Sequence, residues 1–252
     1  MRKLLAIWLG KILTIVGKTV GKKSSSSPGA YALKICPDLV KGLEKCVSKG
    51  IIVICGTNGK TTTNNLMASA LEAKGYKVIC NKLGANMLSG IATTVLQEMS
   101  IFGKLKADYA CLEIDEAYTP IVFDYVKPDV MVITNLFRDQ LDRYGEIDIT
   151  SDIIKRAIKK VPNLKLVLNG DDPLCVQFGR EENVKAYYYG ISEKVLPQLD
   201  DTKEGRFCPV CGEEQKYNYY HYSQLGDFYC PSCGFKRPEI DLKSRMYRST
   251  HQ

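Results

Sequence analysis

Ile51-Ile-Val-Ile-Cys-Gly-Thr-Asn-Gly-Lys-Thr-Thr-Thr63 is the stretch that decides the fold. Ile51 to Ile54 form a short β-branched apolar run, which suits a strand buried in a parallel sheet. Gly56-Thr57-Asn58-Gly59-Lys60-Thr61-Thr62 then turns the chain. The spacing predicts a helix from Lys60 to about Lys74, with Leu66, Met67, Ala70 and Leu71 on one face. Strand, glycine turn and helix start make a phosphate cradle, because the turn amides point inward and the helix dipole favours an anion. Lys60 can reach outer phosphates and the Thr61 hydroxyl can hold Mg²⁺. The commoner loop pattern needs a glycine where Ile54 stands, so the shorter Gly-Thr-X-Gly-Lys-Thr form is the one that fits. Gly17-Lys18-Thr19 repeats the last three letters without a preceding strand or turn, and reads as part of a helix.

Strand and helix patterns alternate onward from this point. Strands are expected at Tyr76–Cys80, Asp108–Ile114, Val130–Thr134 and Leu164–Leu168, with helices at Ser89–Phe102 and Asp152–Lys160. Such alternation predicts an α/β domain, a parallel sheet flanked by helices. Ligands of these sheets bind beyond the carboxyl ends of the strands. Polar groups stand there: Glu113, then Asn135 with Asp139 and Gln140, then Asn169-Gly-Asp171-Asp172-Pro173. Glu113 is the best carboxylate to join Thr61 on Mg²⁺, which takes few carboxylates alongside phosphates. Asn169, Asp171 and Asp172 are candidates for contacts to a nucleotide.

The 252 residues are 45% hydrophobic and 25% charged, a globular composition that leaves room for a small extra module. The net charge of +7 sits mostly in Arg2, Lys3, Lys11, Lys18, Lys22 and Lys23, so the rest of the chain is near neutral. The overall positive charge is therefore no evidence for nucleic-acid binding by the main domain. Residues 1–30 read as a basic amphipathic helix followed by a Ser/Pro/Gly break. Leu4–Leu9 is too short an apolar run to span a bilayer. Small and basic residues (Lys3, Gly10, Lys11, Thr14) share one face of the helix; Leu5, Trp8, Leu9, Ile12 and Val16 share the other. The pattern fits either packing on the chain's own domain or contact with an anionic membrane surface. An ATP-using domain belongs in the cytoplasm, so the contact would be at the inner face of the membrane.

Six of the ten cysteines are scattered, several in apolar runs, as buried free thiols often are. The other four form two knuckles, Cys208-Pro-Val-Cys211-Gly212 and Cys230-Pro-Ser-Cys233-Gly234. Two matched Cys-X-X-Cys pairs point to a four-thiolate zinc site rather than a redox dithiol, and four thiolates close the coordination sphere, so the zinc is structural. The aromatic segment between them suits a hairpin. Glu213, Glu214 and Asp227 argue against nucleic acid as its partner.

The quoted motifs together resemble the central ATP-binding domain of the Mur ligases, whose relatives include folylpolyglutamate synthase. Gly56–Thr62, Glu113, Asn135-Leu-Phe-Arg-Asp-Gln-Leu-Asp-Arg-Tyr-Gly145 and Asn169–Pro173 carry that resemblance. Glu113-Ile-Asp-Glu116, the loop Gly84-Ala-Asn-Met87, Phe137–Asp148 and the inserted four-cysteine ribbon are similar to the MurT subfamily. The resemblance implies domains at 31–202 (ATP-binding), 203–238 (zinc ribbon) and 239–252 (a tail). It implies ATP, Mg²⁺ and Zn²⁺ as cofactors, and Lys60 and Glu113 as catalytic residues. The implied reaction amidates the α-carboxyl of D-glutamate in the stem peptide of lipid II, a step of peptidoglycan biosynthesis. The ammonia would come from a glutaminase partner of the GatD type. Gln140 stands where most Mur ligases have a metal-holding histidine, and Lys155 has the spacing of their carbamylated lysine. The family continues past the ribbon into a domain that closes over the nucleotide, so a chain ending at Gln252 is expected not to complete amidation by itself. The alternatives are another Mur or folylpolyglutamate-type amino-acid ligase, or a non-catalytic zinc-ribbon binding module.

Overall fold

The computed structural model describes residues 1–19, 26–82, 84–137, 146–181, 184–191 and 206–244. Asp139 and Gln140 therefore lie outside the described residues. The elements run α1 (Arg2–Thr19), α2 (Ser27–Ile35), β1 (Val47–Cys55), α3 (Lys60–Ala73), β2 (Val78–Cys80), α4 (Leu88–Glu98), β3 (Ala107–Glu113), α5 (Thr119–Tyr125), β4 (Val130–Ile133), α6 (Glu146–Lys159), β5 (Lys165–Asn169), α7 (Pro173–Val176), β6 (Lys185–Ile191), β7 (Lys216–Tyr222), β8 (Leu225–Tyr229) and β9 (Leu242–Ser244).

Seven strands form one parallel sheet in the order β2-β3-β1-β4-β5-β6-β9. β1 is central, and Ile51, Val53, Ile54 and Cys55 are fully buried. Strands buried on both faces need continuous apolar runs, which is why Ile51–Ile54 reads so plainly. The sheet is flanked by helices, as the alternation predicts. β1 bonds to β3 on one side and β4 on the other, so the loops after these three strands open at one place. The strand β6, with its run of tyrosines, and the short helix α5 are additions to the sequence reading.

Several expectations are corrected. On α3 the side chains turned to the sheet are Asn64 and Ala68, whereas Leu66 and Ala70 face outward. The helix begins inside the phosphate loop, so the loop's orientation, not apolar spacing, sets its rotation. α4 ends at Glu98, and residues 99–104 turn back toward β3. The supposed break at 24–29 is half helix: Ser27, Pro28 and Gly29 open α2, with Pro28 in the first turn, where its missing N–H costs nothing. Gly29 packs on α4 so closely that a Cβ there would lie 2.0 Å from the Ser89 carbonyl oxygen, and its N–H donates to Thr93 Oγ1 at 2.9 Å.

α1 settles the choice between its two faces. Ala6, Ile7, Gly10 and Thr14 are turned inward, with Gly10 against Leu96 of α4. Small residues allow the close helix approach. The bulky stripe Leu5, Trp8, Ile12, Ile15 and Val16 stays exposed. No helix among the described residues is long and apolar enough to cross a membrane.

Within the expected tail at 239–252, residues 239–244 are part of the sheet edge, and 245–252 lie outside the described residues. Ile240 is buried, and Asp241 bonds the Tyr188 backbone twice, its N–H donating to Tyr188 O at 2.9 Å and its Oδ2 accepting from Tyr188 N at 2.8 Å. Leu242–Ser244 then pairs with β6 and covers the sheet edge. The main sheet therefore runs from Val47 to Ser244, with the cysteine-bearing hairpin β7–β8 inserted before its last strand.

Gly29→Val should lower the unfolding free energy by about 1–3 kcal/mol, because the clash is with backbone atoms that cannot rotate away. Chemical denaturation against the parent chain measures it.

Candidate nucleotide and metal sites

The turn Gly56–Gly59 connects β1 to α3 at the sheet's carboxyl edge. Gly56 has φ +124°, and a Cβ there would sit 2.3 Å from Thr134 Oγ1, so the turn can lie on the β4 end only without a side chain. Lys60 begins the helix, and its ammonium curls over the loop. It makes a short bond to Gly56 O, a 3.2 Å bond to Thr57 O, and a 3.2 Å ion pair with Glu116 Oε1. The same Glu116 oxygen accepts the Gly56 N–H at 2.7 Å. Burial pushes the Glu116 carboxyl up, and the neighbouring Lys60 ammonium pulls it back. Glu116 thus engages one loop amide and the loop lysine, the types of donor a phosphate oxygen uses. Its part in the site was not read from the sequence, although it closes the quoted Glu-Ile-Asp-Glu motif. The available signal was a second acid one turn past a strand-end acid.

Glu113 ends β3 and is buried, and its Oε2 has no hydrogen-bond partner. Asn81 fixes its backbone: Oδ1 accepts from Glu113 N and Nδ2 donates to Glu113 O, both at 2.8 Å. Thr61 Oγ1 and the two Glu113 carboxylate oxygens all lie 3.4–3.8 Å from the point where a Cβ on Gly84 would stand. A buried carboxylate oxygen without a partner is costly unless a cation completes it. A carboxylate and a hydroxyl converging beside a phosphate loop fit Mg²⁺, a hard cation that takes oxygen donors. Thr62 is exposed on the first turn of α3, beside Thr61.

The segment after β4 backs the loop. Thr57 N donates to Asn135 O at 2.8 Å, and Asn58 N to Asn135 Oδ1 at 2.9 Å. Asn135 Nδ2 returns a bond to Asn58 O at 3.1 Å. Phe137 N donates to Thr57 Oγ1 at 2.9 Å. Asn169, Asp171 and Asp172 sit just behind, and their side chains are turned into the protein. Asn169 Nδ2 donates to Thr134 O at 3.0 Å. Asp171 pairs with Arg237 at 2.6 Å and accepts from Ile191 N at 2.8 Å. Asp172 accepts the amides of Leu136 at 2.9 Å and Leu174 at 3.0 Å. Its carboxyl is pushed up to about 6 by burial, against those hydrogen bonds. Lys155 is half-buried on α6.

In the ribbon, the Sγ atoms of Cys208, Cys211, Cys230 and Cys233 all lie within 4.8 Å of one another. Tetrahedral zinc with bonds of about 2.3 Å to sulfur would set them about 3.8 Å apart. The knuckles are built alike. The Gly212 amide donates to Cys208 O and the Gly234 amide to Cys230 O, at 2.9 and 3.0 Å, while Cys208 N and Cys230 N bond Glu213 O and Phe235 O. The N–H groups near sulfur come from Val210 and Cys211 in one knuckle and from Cys233 and Ser232 in the other, and in the second they lower the Cys230 thiol. Four sulfurs with amide support fit zinc.

A phosphate loop braced by the next strand end, with a buried carboxylate beside its threonine, is the arrangement that suits a magnesium-bound nucleotide. Residues 54–229 match the Mur ligase middle domain, and the chain belongs to that family. Within the family its sequence is most informatively compared with MurT. It is 38% identical over 239 residues to the lipid II isoglutaminyl synthase (glutamine-hydrolyzing) subunit MurT of Staphylococcus aureus (strain COL), covering 95% of this chain and 53% of that protein. It is 39% identical over 221 residues to the MurT subunit of Streptococcus pneumoniae (strain ATCC BAA-255 / R6), covering 88% and 48%. The chain thus spans about half the length of the curated relatives it matches. Among solved structures, a pseudomurein peptide ligase type C from Methanothermus fervidus superposes with a TM-score of 0.62 at 30% identity, over 79% of this chain and 38% of that one.

Metal analysis of the purified chain should give one zinc per chain. Cys211→Ser should lose it, since each thiolate is a quarter of the shell. A full zinc complement in that variant would refute the site.

Proposed function

We propose that the chain is the ATP-binding part of an amide-forming ligase that activates a carboxylate as an acyl phosphate. The observation that carries this reading is the convergence of the Gly56–Thr62 loop, Lys60, Thr61 and the unpartnered Glu113 carboxylate at one sheet edge. In the reaction, a carboxylate oxygen attacks the γ-phosphorus and the bond to ADP breaks. Ammonia then attacks the acyl carbon, phosphate leaves, and a proton is lost from nitrogen to give the amide. The chain's part is positioning and charge neutralisation. Lys60 moves from Glu116 to the phosphates. The amides of Lys60, Thr61 and Thr62, in the first turn of α3, hold the phosphate oxygens. Thr61 and Glu113 would hold Mg²⁺, which would supply positive charge beside the phosphates. Asn169, Asp171 and Asp172 brace the wall behind the loop.

The names of the relatives point to the substrate and partner. We assign the acceptor as the α-carboxyl of D-glutamate in the lipid II stem peptide, and the ammonia source as a GatD-type glutaminase subunit. The ribbon holds zinc as a structural ion. A lipid-linked substrate also gives the exposed stripe of α1 a role. Leu5, Trp8, Ile12 and Ile15 project outward, Trp8 Nε1 donates to Ile101 O at 2.9 Å in the loop that also exposes Phe102, and no acid occurs before Asp38, whereas Arg2, Lys3 and Lys11 lie on this helix. Exposed apolar groups flanked by cations suit an anionic membrane surface.

Lys60→Ala should weaken Mg-ATP binding by about 10- to 100-fold, the effect of one charge-assisted contact to phosphate, with circular dichroism unchanged. Unchanged affinity by calorimetry would sink the nucleotide-site assignment.

Trp8 is the chain's only tryptophan, so its fluorescence reports on α1 alone. With phosphatidylglycerol vesicles its emission should shift to shorter wavelength and be quenched by brominated lipid, while phosphatidylcholine vesicles leave it unchanged. No response to the anionic vesicles would rule out the membrane contact.

A further inference from the structure

Hairpin tips usually point into water, and the tip of β7–β8 does not. Gln224 is completely buried. A buried amide is retained at little cost only when its polar atoms are matched. Its Nε2 donates to Leu136 O at 2.8 Å, its Oε1 accepts from Ser223 Oγ at 3.0 Å, and its amide helps hold down the carboxyl of nearby Asp172. Leu136 N donates to that same carboxylate. The peptide groups at Leu136 are therefore held from both sides, by one residue of the ribbon hairpin and one of the main domain.

What Leu136 holds is the back of the phosphate loop. Its neighbours Asn135 and Phe137 make the bonds to Thr57 and Asn58 described above. The Phe137 ring meets Tyr222 of the same hairpin tip edge to face, with centroids 6.1 Å apart. The hairpin is in turn anchored. Gly226 N donates to Asp171 O at 2.9 Å, and Arg237 ties Asp171 to the backbone at Ile191. A continuous run of bonds leads from the cysteine knuckles through the hairpin to the loop amides. The Thr57 and Asn58 amides are taken up by Asn135, so these bonds fix the shape of the loop, and phosphate affinity depends on that shape being set before the ligand arrives.

We infer that Gln224 is a positioning residue of the phosphate loop, and that the cysteine ribbon serves as the brace of the nucleotide site. This rests on reading Gly56–Thr62 as that site. The ribbon's effect on the reaction is then exerted through Leu136 and Thr57, without the ribbon touching the nucleotide.

The test compares the zinc-loaded parent with Gln224→Leu, which keeps the bulk and removes the bonds. Amide hydrogen exchange, read on peptides covering 56–62 and 134–137, should be faster in the variant at unchanged zinc content. Affinity for Mg-AMP-PNP should fall on the order of tenfold, the cost of leaving one buried acceptor unmatched. Tyr222→Ala, at an exposed side chain, should give the same pattern in smaller degree and serves if Gln224→Leu does not fold. Unchanged exchange in these peptides would overturn the inference, whatever the parent's nucleotide affinity. Failure of the parent to bind Mg-AMP-PNP would instead count against the phosphate-loop reading, and the exchange result would still decide whether the ribbon braces the loop.

Discussion

A parallel sheet sends the ends of all its strands to the same edge, and the site depends on that constraint. β1 is bonded to β3 and β4 over several residues, with Ile54 opposite Glu113 and Cys55 opposite Ile133. This register places the phosphate loop, the Glu113 carboxylate and Asn135 at one height. A shift of one residue in the β1–β3 pairing would turn Glu113 to the other face of the sheet, because side chains alternate along a strand. The apolar burial of β1 is thus what aligns the chemistry, although none of its side chains takes part.

The charges at that edge are arranged for exchange. Lys60 is held near the loop by carbonyl groups and by Glu116, and Glu116 also occupies the Gly56 amide. Both side chains are largely buried, so each would be costly to leave alone. A phosphate oxygen offers the same kind of contact with more charge. Glu113 contributes differently: its Oε2 has no partner to surrender, and in the proposed reading a cation would complete it. One carboxylate keeps the loop in order, and the other presents an unpartnered oxygen to the same edge.

The ribbon departs from the usual picture of a zinc knuckle as a separate appendage. Its own small core, with Phe228 and Phe235, includes Val176 from α7, and its hairpin tip enters the polar layer behind the loop. The cysteine-bearing module and the phosphate-loop module share Asp171 and Asp172, residues whose motif looked like ligand chemistry and which serve as joints between the two.

The phosphate loop, the cysteine quartet and the central strands were legible in the sequence because each is local. A glycine turn between strand and helix, or a Cys-X-X-Cys-Gly knuckle, carries its geometry within a few residues. Glu113 and the family resemblance were legible for the same reason. The facing of α1 could not be read, since both its stripes are plausible core and only the neighbours α2 and α4 select the small one. Leu242–Ser244 resembled a polar tail, because an edge strand of three residues has no periodicity to show. The pairing of Lys60 with Glu116, and of Gln224 with Leu136, joins residues 56 and 88 positions apart. Those contacts exist only once strand order and register have brought the ends of β1, β3 and β4 and the tip of the hairpin to the same edge. Composition and spacing determine which groups the chain possesses; the parallel sheet decides which of them meet.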